Sequence, residues 1–258
     1  MILIEKRAQR FIDLIIVLTK KQLTVRYQSS ILGYLWSVLN PLGFALVYFI
    51  VFNIYLRFNI ENYIIVLLSA LFPWQWIANT LGEAPHTFVA NAAIVKKVAF
   101  PRWTIPLVDC LQNLTHFLIA IPVYVLFKLY HSGYPSYNWL YGIPLLALST
   151  GMLLYGASLL LGAVNVFFRD IGHLISVLIN ILFFATPVIY TISQIPEKYH
   201  IYLYYNPFAP IVICWRYLLL NNDINSKWFF ISILYGTVFL IVGILFYKKT
   251  QYKFAELL

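Results

Sequence analysis

Residues 31–56 read ILGYLWSVLNPLGFALVYFIVFNIYL, a run without Lys, Arg, Asp or Glu that lies between Arg26 and Arg57. A helix rising 1.5 Å per residue needs about 20 apolar residues to cross about 30 Å of hydrocarbon. This run is long enough, and it sets the template for the rest of the chain. Charge-poor stretches of similar character cover residues 63–84, 104–128, 139–165, 174–190 and 228–247. Together they predict an all-α integral membrane protein with six transmembrane helices.

Composition agrees with that reading. The chain of 258 residues is 62% hydrophobic and 10% charged, with a mean hydropathy of +0.79. Globular proteins carry about 25% charged residues, so a soluble enzyme is excluded. The formal net charge of +9 is accounted for by topology. With six spans both termini share a side, and that side holds Lys6, Arg7, Arg10, Lys20, Lys21, Arg26, Lys96, Lys97, Arg102, Arg169, Lys248, Lys249 and Lys253. The other side keeps only Arg57, Lys128, Lys198, Arg216 and Lys227. Because cytoplasmic segments retain the excess of Lys and Arg, both termini are expected in the cytoplasm, and no nucleic acid is needed to explain the charge.

Residues 1–30 do not read as a signal peptide, since Asp13, Lys20 and Lys21 bound only a short apolar run with no small-residue cleavage site after it. At 100° per residue, Ile4, Ala8, Phe11, Ile12, Ile15 and Leu18 form one face, while Lys6, Arg10, Asp13, Lys20 and Lys21 form the other. This is the pattern of an amphipathic helix lying on the cytoplasmic leaflet. Residues 85–103 form the largest cytoplasmic loop, a natural docking surface for a soluble partner. Residues 191–226 read as an external re-entrant region, in which Tyr199 to Leu220 are nearly as apolar as a span but are broken by Tyr205-Asn206-Pro207-Phe208-Ala209-Pro210. The pieces left over are of re-entrant length, and a helical pair lying on the outer surface fits the same pattern.

Catalytic constellations are missing from the sequence. No glycine-rich phosphate loop ends in Gly-Lys-Ser/Thr, and no HExxH, CxxC or GxSxG motif is present. His86, His116, His131, His173 and His200 are scattered, as are the acids, and no catalytic or metal site is expected. The two cysteines, Cys110 and Cys214, stand alone in apolar runs. Asp109 is an acid inside a span, which marks it as a functional or structural polar site. Aromatic residues are abundant, with 7 Trp, 20 Tyr and 20 Phe. Phe44, Tyr48, Phe52 and Tyr55 follow helical spacing along the first span, and Phe183, Phe184 and Tyr190 lie in the fifth. Such a stripe suits either helix packing or a lane for a ligand that stacks on rings, and periodicity alone does not separate the two.

Five motifs occur in order along the chain: Arg26-Tyr-Gln-Ser-Ser-Ile-Leu-Gly-Tyr-Leu-Trp-Ser-Val-Leu-Asn-Pro41, Lys96-Lys97-Val-Ala-Phe100-Pro101-Arg102, Phe168-Arg169-Asp170-Ile171, Pro187-Val-Ile-Tyr190 and Tyr205-Asn206-Pro207-Phe-Ala-Pro210. With this topology, the chain resembles the permeases of type-2 ABC exporters, and within them the branch that exports lipid-linked polysaccharides such as O-antigen, capsule and teichoic acid. A drug or small-lipid exporter of the same class is the alternative. The resemblance implies a homodimer in the bacterial inner membrane, driven by two copies of a separate ATPase that binds ATP and magnesium, so this chain carries no cofactor of its own. It implies a glycan on undecaprenyl diphosphate as substrate, with O-antigen and lipopolysaccharide assembly the foremost case. Lys96, Lys97, Phe100, Pro101, Arg102, Arg169 and Asp170 would then couple to the ATPase. Phe44, Tyr48, Phe52, Tyr55, Phe183, Phe184 and Tyr190 would line the substrate lane, and Lys20, Lys21 and Arg26 would meet the lipid headgroup.

The charge asymmetry yields a direct test. An impermeant thiol reagent should label a cysteine introduced at Ser226 from the external face of the inner membrane. Labelling only after the cytoplasmic face is opened would overturn the orientation.

Overall fold

The computed structural model describes residues 2–28, 30–57, 60–97, 100–131 and 133–257. The side chains of residues 2–8, 10, 11, 94, 95, 97 and 255 also lie outside the description. The Lys97 side chain and the Val98-Ala99 part of the 85–103 loop therefore fall beyond it, as do the side chains of Ile4, Ala8 and Phe11 in the apolar face expected at the start of the chain.

Every regular element among the described residues is helical. Helix α1 spans Ile2–Tyr27, and α2 covers Trp36–Tyr48 and continues through a wider, π-helical stretch, Phe49–Tyr55. Next come α3 (Tyr63–Glu83), the short α4 (Thr87–Ala90) and α5 (Ala92–Lys97), and the long α6 (Thr104–His131) and α7 (Asn138–Phe167). The chain closes with α8 (Ile171–Ala185), α9 (His200–Tyr205), α10 (Ala209–Asn221), α11 (Ser226–Thr250) and the single turn α12 (Phe254–Leu257). Among the described residues, five helical segments are long and apolar enough to cross a membrane: Gly33–Tyr55, Tyr63–Ala90, Thr104–His131, Asn138–Phe167 and Ser226–Lys253.

The stretch at 174–190 differs from its expected form. The helix there starts earlier and stops at Ala185, after 15 residues. Pro187 has no N–H to continue the ladder and biases Thr186 toward extended backbone, and Thr186 is indeed extended. The following segment is tied to its neighbours by its carbonyls. Tyr63 donates its hydroxyl to the Ile189 carbonyl at 2.8 Å, and Arg216 donates to those of Val188 and Tyr190 at 2.7 and 2.8 Å.

Helix α10 is the most enclosed element. Ala209, Val212, Cys214, Trp215 and Leu218 have no exposed surface. Trp215 meets Phe117 of α6 edge-on at 4.7 Å and donates to the Thr150 hydroxyl of α7 at 3.1 Å, placing α10 inside the bundle. Its last turn is closed by Lys128 of α6, whose ammonium donates to the carbonyls of Leu219 and Leu220 at 2.7 and 2.8 Å. A cation there also complements the helix dipole. Asn222 takes a left-handed φ of 60° and accepts from Trp139 Nε1 at 2.9 Å. Lys128 and Arg216 were counted from the sequence as flanking charges on one face. Both are instead buried, at 0% and 7% exposure, and spend their donors on backbone carbonyls.

The most extensive helix pairing joins α7 and α11. Ser232, Gly236, Gly243 and Tyr247 form the buried face of α11. A Cβ on Gly243 would overlap the Gly156 carbonyl oxygen, and one on Gly156 would overlap the backbone of Phe239. Close backbone approach through small residues is how helices gain packing energy where lipid removes the hydrophobic drive. Gly243→Leu should lower the melting temperature of the detergent-purified protein, with a loss of about 3 kcal/mol from forced separation of the two backbones. Gly151→Ala, where nothing lies within 4 Å of the added carbon, should stay within about 1 kcal/mol of the parent.

Candidate functional site

Helix α1 is fixed to the bundle by polar groups that recur at helical spacing on three elements. Gln22 and Arg26 share a face of α1, Glu83 and Thr87 lie one turn apart, and Asp109, Asn113 and His116 follow i, i+4, i+7 on α6. Asp109 is buried, 9% exposed. Its carboxylate accepts from Gln22 Nε2 at 2.8 Å and from the Thr87 hydroxyl. Arg26 pairs with Glu83 at 2.8 Å, and Asn113 donates to the other oxygen of Glu83 at 2.6 Å. The Arg26 and Glu83 side chains are 33% and 38% exposed, so screening holds their pairing to about 1 kcal/mol or less. The Asp109 contacts weigh more, since a buried polar group left without its partner costs about 1–3 kcal/mol. The Tyr27 hydroxyl lies 3.3 Å from His116 Nδ1, and burial raises the Tyr27 phenol above its ordinary value, keeping it protonated.

Two cavities flank Arg26. One, of about 320 Å³, opens between the end of α1 and helices α2, α3 and α6. The other, of about 430 Å³, is bounded by Gln22, Glu83, Thr87 and Asp109. Among the residues assigned to the headgroup, Lys20 and Lys21 are exposed, whereas Arg26 is turned toward Glu83.

The residues assigned to coupling gather at the end of the bundle that carries both termini. The 85–103 segment is mostly helical and doubles back under α7, where Gly162 leaves no room for a side chain beside Ala84 and Thr87. Phe88 is fully buried against Phe254 at 4.9 Å and Tyr247 at 6.0 Å, and Phe100 packs on the same cluster. Arg102 donates to the Gln251 carbonyl at 3.0 Å. Lys96, Pro101, Arg169 and Asp170 are exposed. The Arg169-Asp170 turn is tied to this surface because Gly172 lies directly against the His86 ring. The C-terminal residues Gln251 and Phe254 were not anticipated in this assembly. Their signal was the aromatic pair Tyr247 and Phe254, seven residues apart and so on one face.

The aromatic residues of α2 and α8 come together. Phe44 and Tyr48 stack at 6.3 Å, Tyr48 and Phe183 at 5.4 Å, and Phe184 meets Phe183 edge-on at 5.1 Å. Phe52 stands 6.3 Å from Tyr48. Tyr190 joins them through its hydroxyl, which donates to the Phe184 carbonyl at 2.8 Å. Tyr55 stands apart and 73% exposed. It lies in the π-helical stretch, marked by the Leu56 N–H bonding to Val51 O at 2.9 Å, where the wider turn rotates it off the 100° register. Such turns recur at functional positions.

A helical membrane protein with a polar crevice at one end and an aromatic band between helices takes its class, that of transport permeases, from the family it matches. The chain is a member of the ABC-2 type transporter family, whose model matches residues 13–220. It is 43% identical, over 95% of each chain, to the O-antigen export system permease protein RfbA of Klebsiella pneumoniae. It is 30% identical to the protein of that name in Myxococcus xanthus, over 77% of this chain and 76% of the relative. Identity to the polysialic acid transport protein KpsM of Escherichia coli is 22%, over 90% and 91%.

The geometry around Asp109 predicts two distinct mutant behaviours. Asp109→Ala strands Gln22 and Thr87 and should cost about 2–3 kcal/mol, with faster tryptic cleavage at Lys20 and Lys21 as α1 loosens. Asp109→Asn still accepts from Gln22 and donates to the Thr87 hydroxyl, which serves equally as acceptor. It should keep α1 protected.

Proposed function

We propose that this chain is the membrane permease of an ABC exporter that carries a lipid-linked polysaccharide, foremost O-antigen on undecaprenyl diphosphate, across the bacterial inner membrane. The observation that carries this reading is the 43% identity over 95% of both chains to a permease named for O-antigen export. ATP and magnesium are bound by a separate ATPase, present in two copies, and this chain does no catalysis.

In this reading both termini are cytoplasmic and the chain crosses six times. Helix α8 with the non-helical residues 186–190 makes the fifth crossing, and α9 with α10 forms the external re-entrant element. A second copy of the chain supports the channel. Leu174, Val177, Leu178, Ile181 and Phe184 leave one whole face of α8 exposed, and that face borders the aromatic band. Stacking on rings suits a sliding polymer, because it holds a sugar without one fixed hydrogen-bond pattern. ATP-driven closure of the partner would push on Lys96, Lys97, Phe100, Pro101, Arg102, Arg169 and Asp170. The contact of Arg102 with the C-terminal segment and of Gly172 with His86 would pass that push to α11 and α8. Lys20 and Lys21 would face the anionic headgroup at the leaflet.

The test separates a lane from a packing seam. Tyr48→Leu with Phe52→Leu keeps bulk and hydrophobicity, so assembly should lose little, about 1 kcal/mol. Glycan export per assembled complex should fall while partner binding and basal ATP hydrolysis stay near normal. Unchanged export per complex would assign the band to helix packing.

A further inference from the structure

The cavity of about 320 Å³ beside Arg26 has a wall unlike any other part of this apolar chain. Helix α3 presents Phe72, Gln75, Trp76 and Asn79 to it, and α6 presents Asn113, His116, Phe117 and Ala120. Each set follows i, i+3, i+4, i+7, so each is one helical face. Helix α2 adds Trp36 and Asn40.

Half of the polar side chains on this wall keep an unspent group. Trp76 Nε1 and His116 Nε2 are buried without a hydrogen-bond partner, in residues only 2% and 7% exposed. The direction of the Tyr27–His116 hydrogen bond follows the tautomer of the ring, so Nε2 offers a donor or an acceptor, and Trp76 Nε1 offers a donor. Among the described residues, the side-chain amides of Asn40, Gln75 and Asn79 also make no hydrogen bond. Acyl chains offer these groups nothing, and unpaired polar groups in an apolar medium cost several kcal/mol. A ligand rich in hydroxyls satisfies them, and the faces of Trp36 and Phe72 provide the apolar surface that a sugar ring uses.

The charge pattern separates this ligand from a phosphate. The one cation on the wall, Arg26, is already paired with Glu83, and Asp109 lies in the adjoining cavity. A diphosphate would meet a single cation that is already paired, with Glu83 and Asp109 both in the adjoining cavity. A volume near the lower end of the range for small-molecule sites, about 300–1,000 Å³, fits one or two sugar rings rather than a folded chain.

We propose that this crevice is a binding site for a neutral sugar unit of the exported glycan, distinct from the aromatic band. The proposal rests on the polysaccharide-export reading above and adds to it a fixed subsite at the point where α1 meets the spans.

A benzophenone-bearing phenylalanine in place of Trp36, irradiated in cells that make the polymer, should cross-link glycan to the chain. Capture per complex should fall about tenfold when Asn79→Ala and Asn40→Ala remove two hydrogen bonds, and Asn79→Gln should restore part of it. Cells that make the lipid diphosphate but no polymer should give no adduct. A lipid diphosphate adduct in those cells would overturn the proposal in favour of a headgroup site. Capture of phospholipid alone, or of nothing, by a chain that still supports export would also overturn it and leave the export reading standing. If deletion of the chain leaves polymer export intact, the export reading falls and the subsite with it.

Discussion

One buried carboxylate joins the parts of this molecule that are not held by apolar packing. Asp109 accepts from Gln22 of α1 and from Thr87 of α4, so the surface helix, the doubled-back loop and the start of α6 meet at a single side chain. In a low-dielectric setting such a group is stable only when fully paired. That requirement fixes where α1 ends, and the end of α1 forms the rim of the crevice beside Arg26. The loop and α1 are therefore linked through one residue near the start of α6.

The division of labour between apolar and polar contacts follows from the solvent. Within the spans the helices are locked by backbone proximity, as at Gly156 and Gly243. At the two ends, where water and headgroups compete, side chains cap carbonyls or pair with one another. Lys128, Arg216 and Asn222 do this at the end away from the termini, and Arg26, Glu83 and Arg102 do it at the other. The middle of the bundle is left largely to rings and small residues.

Much of the architecture is legible in the charge-free intervals, because the hydrocarbon thickness leaves few ways to place runs such as residues 31–56. The family motifs were equally plain. Other features were hidden for identifiable reasons. Ala209–Asn221 has the composition of a lipid-facing helix, and nothing local reveals that its neighbours enclose it. Lys128 and Arg216 look like flanking charges until their carbonyl partners, about 90 and 30 residues away in sequence, are known. Tyr55 fell out of register because a π-helical turn has no clear sequence mark. The crevice was missed because its amides, Asn40, Gln75, Asn79 and Asn113, are spread over three separate apolar stretches. Reading Gln75 and Asn79 beside Asn113 and His116, at helical spacing on two spans, would have signalled a shared polar wall.

The capping of α10 by Lys128 bears on biogenesis. Thirteen residues are too few to partition into a bilayer unaided, and α10 buries its side chains against α3, α6 and α7, all of which precede it on the ribosome. By the time Ala209 leaves the translocon, the Lys128 ammonium is already in place to receive the Leu219 and Leu220 carbonyls. Maturation thus follows the order of synthesis, with α10 docking against helices already made and α11 closing the socket after it.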